Sequence, residues 1–479
     1  MARKSRSLAP IVTVTVAALV FAILLIAVRL HWAPLESVDH GAAADINGLI
    51  AGHPALVTVV KAVTLLGSTP VLMAIIGIAA IYLAIRRRWR LAVFLLATGA
   101  GALVLDPVLK ALVGRLRPVV AHPVAHGLGN SFPSGHALGS IVCYGALLLV
   151  FLPAVSGRWR SAFIAVLVAL VALTGISRIL LGVHYLSDVI GAWGIGIAWL
   201  GLTTVAFELT RQAGNRPVTR PVTEGLEPEG RRDLKPAEPE RKPQPPQRRP
   251  GRIAARLGVC WVLITGLLAG IGELITKDGN GNVLGDRSIP QWFAAHRTPG
   301  LNGWSLVFTT IGMTASIIVA TAVTAVVFLA VTRRWRPVVY IAVLMAGELA
   351  SFLVVATVIK RPRPHVSHLD PHLPTSAFPS GHTAATLCLY AGLAILVIGL
   401  ARGWWRWLFL IPAIALPILV AVSRMYRGEH HPTDIIGSVL LSGLWLAAVT
   451  FMVRPAEAAG QRGRSTARQP GRRRVPAAR

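Results

Sequence analysis

The sequence is poor in the residues that staple small secreted domains or build metal clusters. Three cysteines occur in 479 residues. Cys143, Cys260 and Cys388 each fall inside an apolar run, with no regular spacing, which excludes a disulfide framework and leaves them as small core residues. Charge is scarce too: 14% of positions are Asp, Glu, Lys or Arg, and acids are the rarer sign, 20 against 48 bases. Ordinary cytosolic domains carry about 25% charged residues. A disordered chain is excluded as well, because 54% of the residues are apolar and the mean hydropathy is positive. What remains is a membrane protein.

The net charge is +28, and its distribution decides its meaning. Seven patches carry +27 of it: Arg3 to Arg6, Arg86 to Arg90, Arg158 with Arg160, Arg211 to Arg256, Arg333 to Arg336, Arg402 with Arg406, and the tail from Arg454. Between them run apolar stretches close to the ~20 residues of a spanning helix. Two spans separate each patch from the next, which is the positive-inside pattern. A nucleic-acid partner is not expected, because no folded basic surface is present. The stretch Arg211 to Arg256 and the tail from Arg454 read as solvated charge that fixes topology and touches anionic lipid heads.

Twelve spans are expected, near residues 10–30, 69–85, 91–113, 137–152, 162–180 and 189–209, then 257–275, 314–332, 337–359, 383–400, 407–422 and 435–453. The fold class that follows is an all-α polytopic membrane protein. Both termini and the central linker are placed on the cytoplasmic side. The first apolar run is longer than the ~7 to 15 residues of a signal peptide and no small-x-small site follows it, so it reads as a retained anchor. The stretch 211–256 holds nine prolines and reads as a disordered basic tether, as does the tail 454–479. The domains are therefore expected at 1–210 and 257–453.

These two domains are copies of one another. Trp89 and Trp335 are 246 apart, and so are Arg117 and Arg363, His136 and His382, Arg178 and Arg424, His184 and His430, and Asp188 and Asp434. Because each half has an even number of spans, the two six-helix repeats lie parallel. The repeated polar residues sit at the ends of spans opposite the basic patches, which places them outside the cytoplasm.

In the first half Lys110 and Arg117 are seven apart, two helical turns, and are expected on one face of the third span, with Pro118 ending it. Pro133-Ser134-Gly135-His136 opens the fourth span: Ser134 is placed to cap, Gly135 permits close backbone approach, and free amides at that helix start favour an anion. Arg178 closes the fifth span. His184 and Asp188 are four apart at the start of the sixth, so the carboxylate can hold one imidazole nitrogen while the other attacks. Three cations, a helix start and two histidines describe a site for a doubly charged tetrahedral anion, phosphate above all.

These residues resemble the three signature motifs of the type 2 phosphatidic acid phosphatase family. The first half carries Lys110, six residues, Arg117-Pro118; then Pro133-Ser134-Gly135-His136; then Ser177-Arg178, five residues, His184, three residues, Asp188. The second half carries Arg363-Pro364, Pro379-Ser380-Gly381-His382, and Ser423-Arg424 with His430 and Asp434 at the same spacing. The resemblance implies a lipid phosphatase with no metal or other cofactor. In it His184 or His430 forms a phosphohistidine and His136 or His382 is the general acid. Lys110, Arg117, Ser134, Gly135 and Arg178 hold the phosphate, as do Arg363, Ser380, Gly381 and Arg424 in the copy. Family substrates include phosphatidic acid, phosphatidylglycerol phosphate and polyprenyl diphosphates, whose tails stay in the bilayer. The same intermediate would serve a lipid phosphotransferase, and a twelve-helix transporter is the third reading.

The second half departs from the pattern. Ala356 stands in place of Lys110 and Phe352 in place of Asp106, which could steady Lys110. Lys360, one turn on, is expected on about the same helical face. The first half is expected to carry most of the turnover. The loop histidines His122, His126, His365, His368 and His372 could hold a metal, but read more simply as solvent- or head-group-facing. Glu348 has no counterpart and no assigned role. The stretch Pro54 to Leu66 is expected along the outer interface, and the tryptophans beside the arginine patches as interface anchors.

Overall fold

In the computed structural model of the protein, residues 9–121, 123–236, 250–277, 283–370 and 375–453 are described. Two compact units divide the chain, residues 1–236 and 237–479. Both are all-helical among the described residues. The first unit contains α1 (Ala9–Arg29), α2 (Ala33–Ala51), α3 (Pro54–Leu65), α4 (Thr69–Ile85), α5 (Trp89–Val113), α6 (Gly135–Phe151), α7 (Gly157–Leu180), α8 (Leu186–Ala213) and the short α9 (Pro221–Glu224) and α10 (Arg231–Leu234). The second contains α11 (Pro250–Lys277), α12 (Ser288–Ala295), α13 (Pro299–Gly312), α14 (Thr314–Thr332), α15 (Trp335–Ile359), α16 (Gly381–Leu400), α17 (Leu410–Tyr426) and α18 (Pro432–Val453).

All twelve apolar runs are helices. Eleven described helices are long and apolar enough to cross a bilayer, α6 and α17 when taken with the 3-10 turns that adjoin them at Leu152–Ala154 and Trp404–Phe409. The twelfth, α4, has 17 residues, the lower edge of the ~17–25 that suffice. Periodicity did not reveal α2, α12 and α13, whose polar residues dilute the apolar signal. A bend of 118° between α2 and α3, at Gly52-His53-Pro54, turns α3 back against α7.

Each unit wraps its helices around one buried member, α6 in the first and α16 in the second. The duplication extends to side-chain packing. Trp199 on α8 lies over Gly101 of α5 and donates its indole N–H to the Thr98 carbonyl at 2.9 Å. Trp445, 246 residues on, lies over Gly347 and donates to the Leu344 carbonyl at 2.9 Å. A Cβ at Gly101 or Gly347 would fall 1.9 or 2.1 Å from the indole, so only glycine admits this helix contact.

The tether expected over 211–256 needs correction at both ends. Residues 216–236 fold onto the basic end of the first unit, and residues 250–256 already belong to α11. The reason is local: the acids interspersed among the arginines pair with the basic patches of the helices. Glu229 meets Arg211 at 2.7 Å and Glu227 meets Arg88 at 3.4 Å, while Leu226 and Leu234 are fully buried. Arg160 donates to the Thr223 carbonyl at 3.2 Å. Residues 237–249 and the tail 454–479 lie outside the described residues. The basic patches of α4–α5, α7 and α8 thus share one end of the first unit, and the polar motif residues share the other.

Candidate active site

The motif residues of the first half converge. Ser134 N–H donates to the Asp188 carbonyl at 3.1 Å, tying the start of α6 to the start of α8, and Asn130 Nδ2 donates to the Lys110 carbonyl at 2.8 Å, tying the loop to α5. α5 ends at Val113, with the expected span, and does not run on to Pro118: Gly114 takes a left-handed conformation (φ 72°) and its N–H returns to the Lys110 carbonyl. Arg117 therefore reaches the site from coil and not from the helix face. Its guanidinium is fastened by carbonyls: Gly129 at 2.9 Å, Leu128 at 2.8 Å and Val183 at 2.8 Å, with His184 Nε2 at 3.1 Å. Burial lowers its pKa somewhat, against the pull of Asp188 and Asp106.

His184 is buried in the loop before α8. Its Nδ1 faces Asp188 Oδ2 at 3.3 Å, and that oxygen also accepts the Tyr185 N–H at 2.9 Å. The carboxylate fixes the proton on Nδ1 and leaves the Nε2 lone pair directed at Arg117. Burial lowers the imidazole pKa to about 4, outweighing Asp188, so the ring is neutral at pH 7. His136, on the first turn of α6, lies in the field of Arg178, His184, Lys110 and Arg117.

Three donors or acceptors here have vacancies. Lys110 Nζ is paired with Asp106 Oδ2 at 2.9 Å, as the four-residue spacing predicted, but the other oxygen of Asp106 is buried without a partner. Arg178 gives one donor to Thr64 at 2.8 Å while its Nε has none. Ser134 occupies the N-cap position of α6 yet makes no capping bond, and its Oγ is buried and unpartnered. An alanine Cβ at Gly135 would stand 2.8 Å from the Asp106 carboxylate, so glycine is what lets Asp106 and Lys110 reach the helix start.

A second layer escaped the reading of the sequence. Arg115 bridges Asp188 at 2.8 Å and Asp39 at 2.7 Å, while Asp39 also accepts the Ser187 N–H at 3.0 Å. The copy repeats it with Arg361, Asp434 and Asp286: Arg361 meets Asp286 at 2.6 Å and also pairs with Asp434, and Thr433 N–H donates to Asp286 at 3.0 Å. A signal was available, since Arg115 and Arg361 are 246 apart, two residues before Arg117 and Arg363.

In the second half Arg363, Ser380, Gly381, His382, Arg424, His430 and Asp434 also gather, with His382 in the field of Arg424, His430, Asp370 and Arg363. The pairing is different. His430 Nδ1 donates to the Ala377 carbonyl at 2.7 Å and stands 3.6 Å from Asp434. Lys360 does not share the face expected for it: it follows α15 in a left-handed conformation (φ 49°) and is exposed. Phe352 packs its ring against Gly381, where Asp106 stands against Gly135. A cavity of about 350 Å³ adjoins Arg361, Arg363, His365 and His431. Among the described residues no three His, Cys, Asp or Glu side chains group as a metal would need. His122 and His372 lie outside those residues.

A helical membrane protein that gathers lysine, arginine, histidine and an unsatisfied helix start at the end of a bundle belongs to the class of membrane-embedded phosphatases. More particularly, the chain belongs to the PAP2 superfamily, whose family model matches residues 89–211 and 311–457, one region in each half. It is 33% identical over 178 residues to phosphatidylglycerophosphatase B of Bacillus subtilis, covering 36% of this chain and 85% of the relative. It is 30% identical over 102 residues to undecaprenyl-diphosphatase BcrC of the same organism, covering 20% of this chain and 48% of the relative. The crystal structure of a transmembrane PAP2 type phosphatidylglycerolphosphate phosphatase from Bacillus subtilis matches with 27% identity and a TM-score of 0.38, covering 41% of this chain and 96% of that one.

Proposed function

We propose that this protein hydrolyses the phosphate or diphosphate group of a membrane lipid at the extracytoplasmic face, through a phosphohistidine on His184. The observation that carries the reading is the first-half cluster itself. Lys110, Arg117 and Arg178 surround a neutral, carboxylate-held imidazole beside a helix start whose Ser134 Oγ has no partner. Such fixed donors stabilise charge that develops on a phosphoryl group without having to reorganise.

In the first step His184 Nε2 attacks phosphorus and the bond from phosphorus to the leaving oxygen breaks. His136 gives that oxygen a proton, releasing a lipid alcohol, or a lipid monophosphate if the substrate is a diphosphate. Asp188 balances the charge gained by the ring. In the second step His136 takes a proton from water, the water oxygen attacks phosphorus, and inorganic phosphate leaves as the N–P bond breaks. His382, His430 and Asp434 stand at the corresponding positions of the copy.

An almost wholly apolar groove of about 320 Å³ supports a lipid substrate. It runs among α6, α7 and α8, lined by Ile141, Tyr144, Leu148, Leu167 and Trp193, and begins within two helical turns of His136 and Asp188. The names of the relatives point to phosphatidylglycerol phosphate and undecaprenyl diphosphate as the first substrates to test. The basic patches at the opposite end support the outer-face orientation.

The test is phosphate release by purified protein from both lipids, with quenching in alkaline detergent to trap labelled enzyme. An acid-labile, base-stable phosphoryl label that His184→Ala removes is expected. Undiminished release by the His184→Ala, His430→Ala double variant would end the nucleophile assignment. A cysteine placed at exposed Leu128 should react with an impermeant maleimide in intact cells if the site faces outward.

A further inference from the structure

The two halves differ most where phosphate would sit. Register at 246 residues pairs Val183 with Glu429, Val124 with Asp370, Leu181 with Arg427 and Ala137 with Thr383. Two hydrophobic positions beside the first cluster are thus carboxylates beside the second. Both carboxylates are engaged with the phosphate-holding arginines. Glu429 Oε2 accepts from Arg363 at 2.6 Å and lies 3.6 Å from Arg424, and Asp370 accepts from Arg424 at 2.5 Å and from Arg427 Nε at 2.7 Å. Glu429 Oε1 also faces His368 at 3.3 Å. In the first half the equivalents of these arginines bind carbonyl and hydroxyl oxygens, Arg117 at Gly129, Leu128 and Val183, and Arg178 at Thr64.

The serine tells the same story. Ser134 Oγ is buried and unpartnered, whereas Ser380 Oγ bonds Thr383 Oγ1 at 3.1 Å. The first cluster has three cations against Asp106; the second has Arg363, Arg424 and Arg427 against two carboxylates, with Ala356 where the lysine would be.

We infer that Glu429 and Asp370 are tethered anions seated in the place of phosphate, so that the second pocket neither binds nor turns over a lipid phosphate and the first half alone does. An incoming dianion would have to displace the buried Glu429 and the half-buried Asp370 from guanidinium groups and leave them uncompensated, a cost that the phosphate contacts cannot recover. Glu429 and Asp370 thereby specify which half works. This rests on the phosphatase reading given above, but its main readout is binding and not turnover.

The experiment counts orthovanadate sites on the full-length purified protein by titration calorimetry. Wild type should bind one per chain, Glu429→Val with Asp370→Val should bind two, and Arg178→Ala should subtract one from each. Glu429→Gln, which keeps the shape and removes the charge, guards against misfolding of the double variant, and it too should raise the count above one. Two equal sites in wild type, or one site in both the double variant and Glu429→Gln, would overturn the inference. In turnover, His184→Ala alone should cut phosphate release at least a hundredfold, and retention of a tenth or more means the second pocket works. Full release in the His184→Ala, His430→Ala double variant would instead sink the phosphohistidine reading while leaving the site count readable.

Discussion

Asp188→Asn tests the chemistry assigned to the first half with little change in shape. Asp188 has one oxygen on His184 Nδ1 at 3.3 Å and Tyr185 N–H at 2.9 Å, and the other on Arg115 at 2.8 Å. The amide can still hold the ring but cannot balance the positive charge that the imidazole gains as phosphorus bonds to Nε2. A hydrogen bond to a charged group is worth about 1.5–3 kcal/mol, which corresponds to roughly 10- to 150-fold in rate. At 3.3 Å the bond is longer than the ~2.7–2.9 Å of strong charge-assisted pairs, so a loss toward the middle of that range, about 30-fold, is expected. Because the charge exists only on the way to the intermediate, the loss should fall on kcat and leave KM nearly unchanged. Steady-state release from micellar phosphatidylglycerol phosphate measures both, with thermal unfolding as the control for Arg115 losing a partner. A kcat loss under threefold in a normally folded variant, or a loss confined to KM, would refute the assignment. Asp434→Asn is the internal comparison and should leave turnover unchanged, since the second pocket does none of it and His430 is held by the Ala377 carbonyl at 2.7 Å.

Gly135→Ala places a Cβ 2.8 Å from the Asp106 carboxylate; displacing Asp106 should loosen Lys110 and raise KM about 5-fold, the worth of roughly 1 kcal/mol, read from Michaelis curves. Arg115→Gln strands buried Asp39 and Asp188, a loss of about 3–5 kcal/mol. For a unit of this size that corresponds to a fall in Tm of about 10 °C, measurable in detergent. The pH profile follows from His184, whose pKa burial lowers to about 4. The neutral ring is the nucleophile, so kcat/KM is lost as pH falls through about 4. Apart from the substrate's own ionisation near about 6, a further acid limb near 6.5 would contradict a buried imidazole.

Much of this architecture was legible because a bilayer imposes a simple rule: long apolar runs become helices, and arginine patches mark their shared end. The repeat, from Trp89 and Trp335 to Asp188 and Asp434, and the identity of the motif residues needed nothing more than counting. Local signals failed where a partner distant in sequence decides the outcome. Gly114 ends α5 before Arg117. Ser134 holds the cap position without making the cap bond. Lys360 leaves the helix just when it was needed on its face. The proline-rich stretch after Arg211 reads as a tether until Glu229 finds Arg211 on α8 and Glu227 finds Arg88 at the start of α5.

The one-dimensional chain determined the twelve apolar helices, their duplication and which cations and imidazoles are present, since hydropathy and spacing are properties of neighbours in sequence. Tertiary structure alone decided which of those groups are already neutralised. Arg117 and Arg178 bind oxygens without charge, whereas Arg363 and Arg424 meet Glu429 and Asp370. Ion pairing depends on approach within a few ångströms through a medium that screens poorly, and residues sixty positions apart acquire that approach only when the helices close.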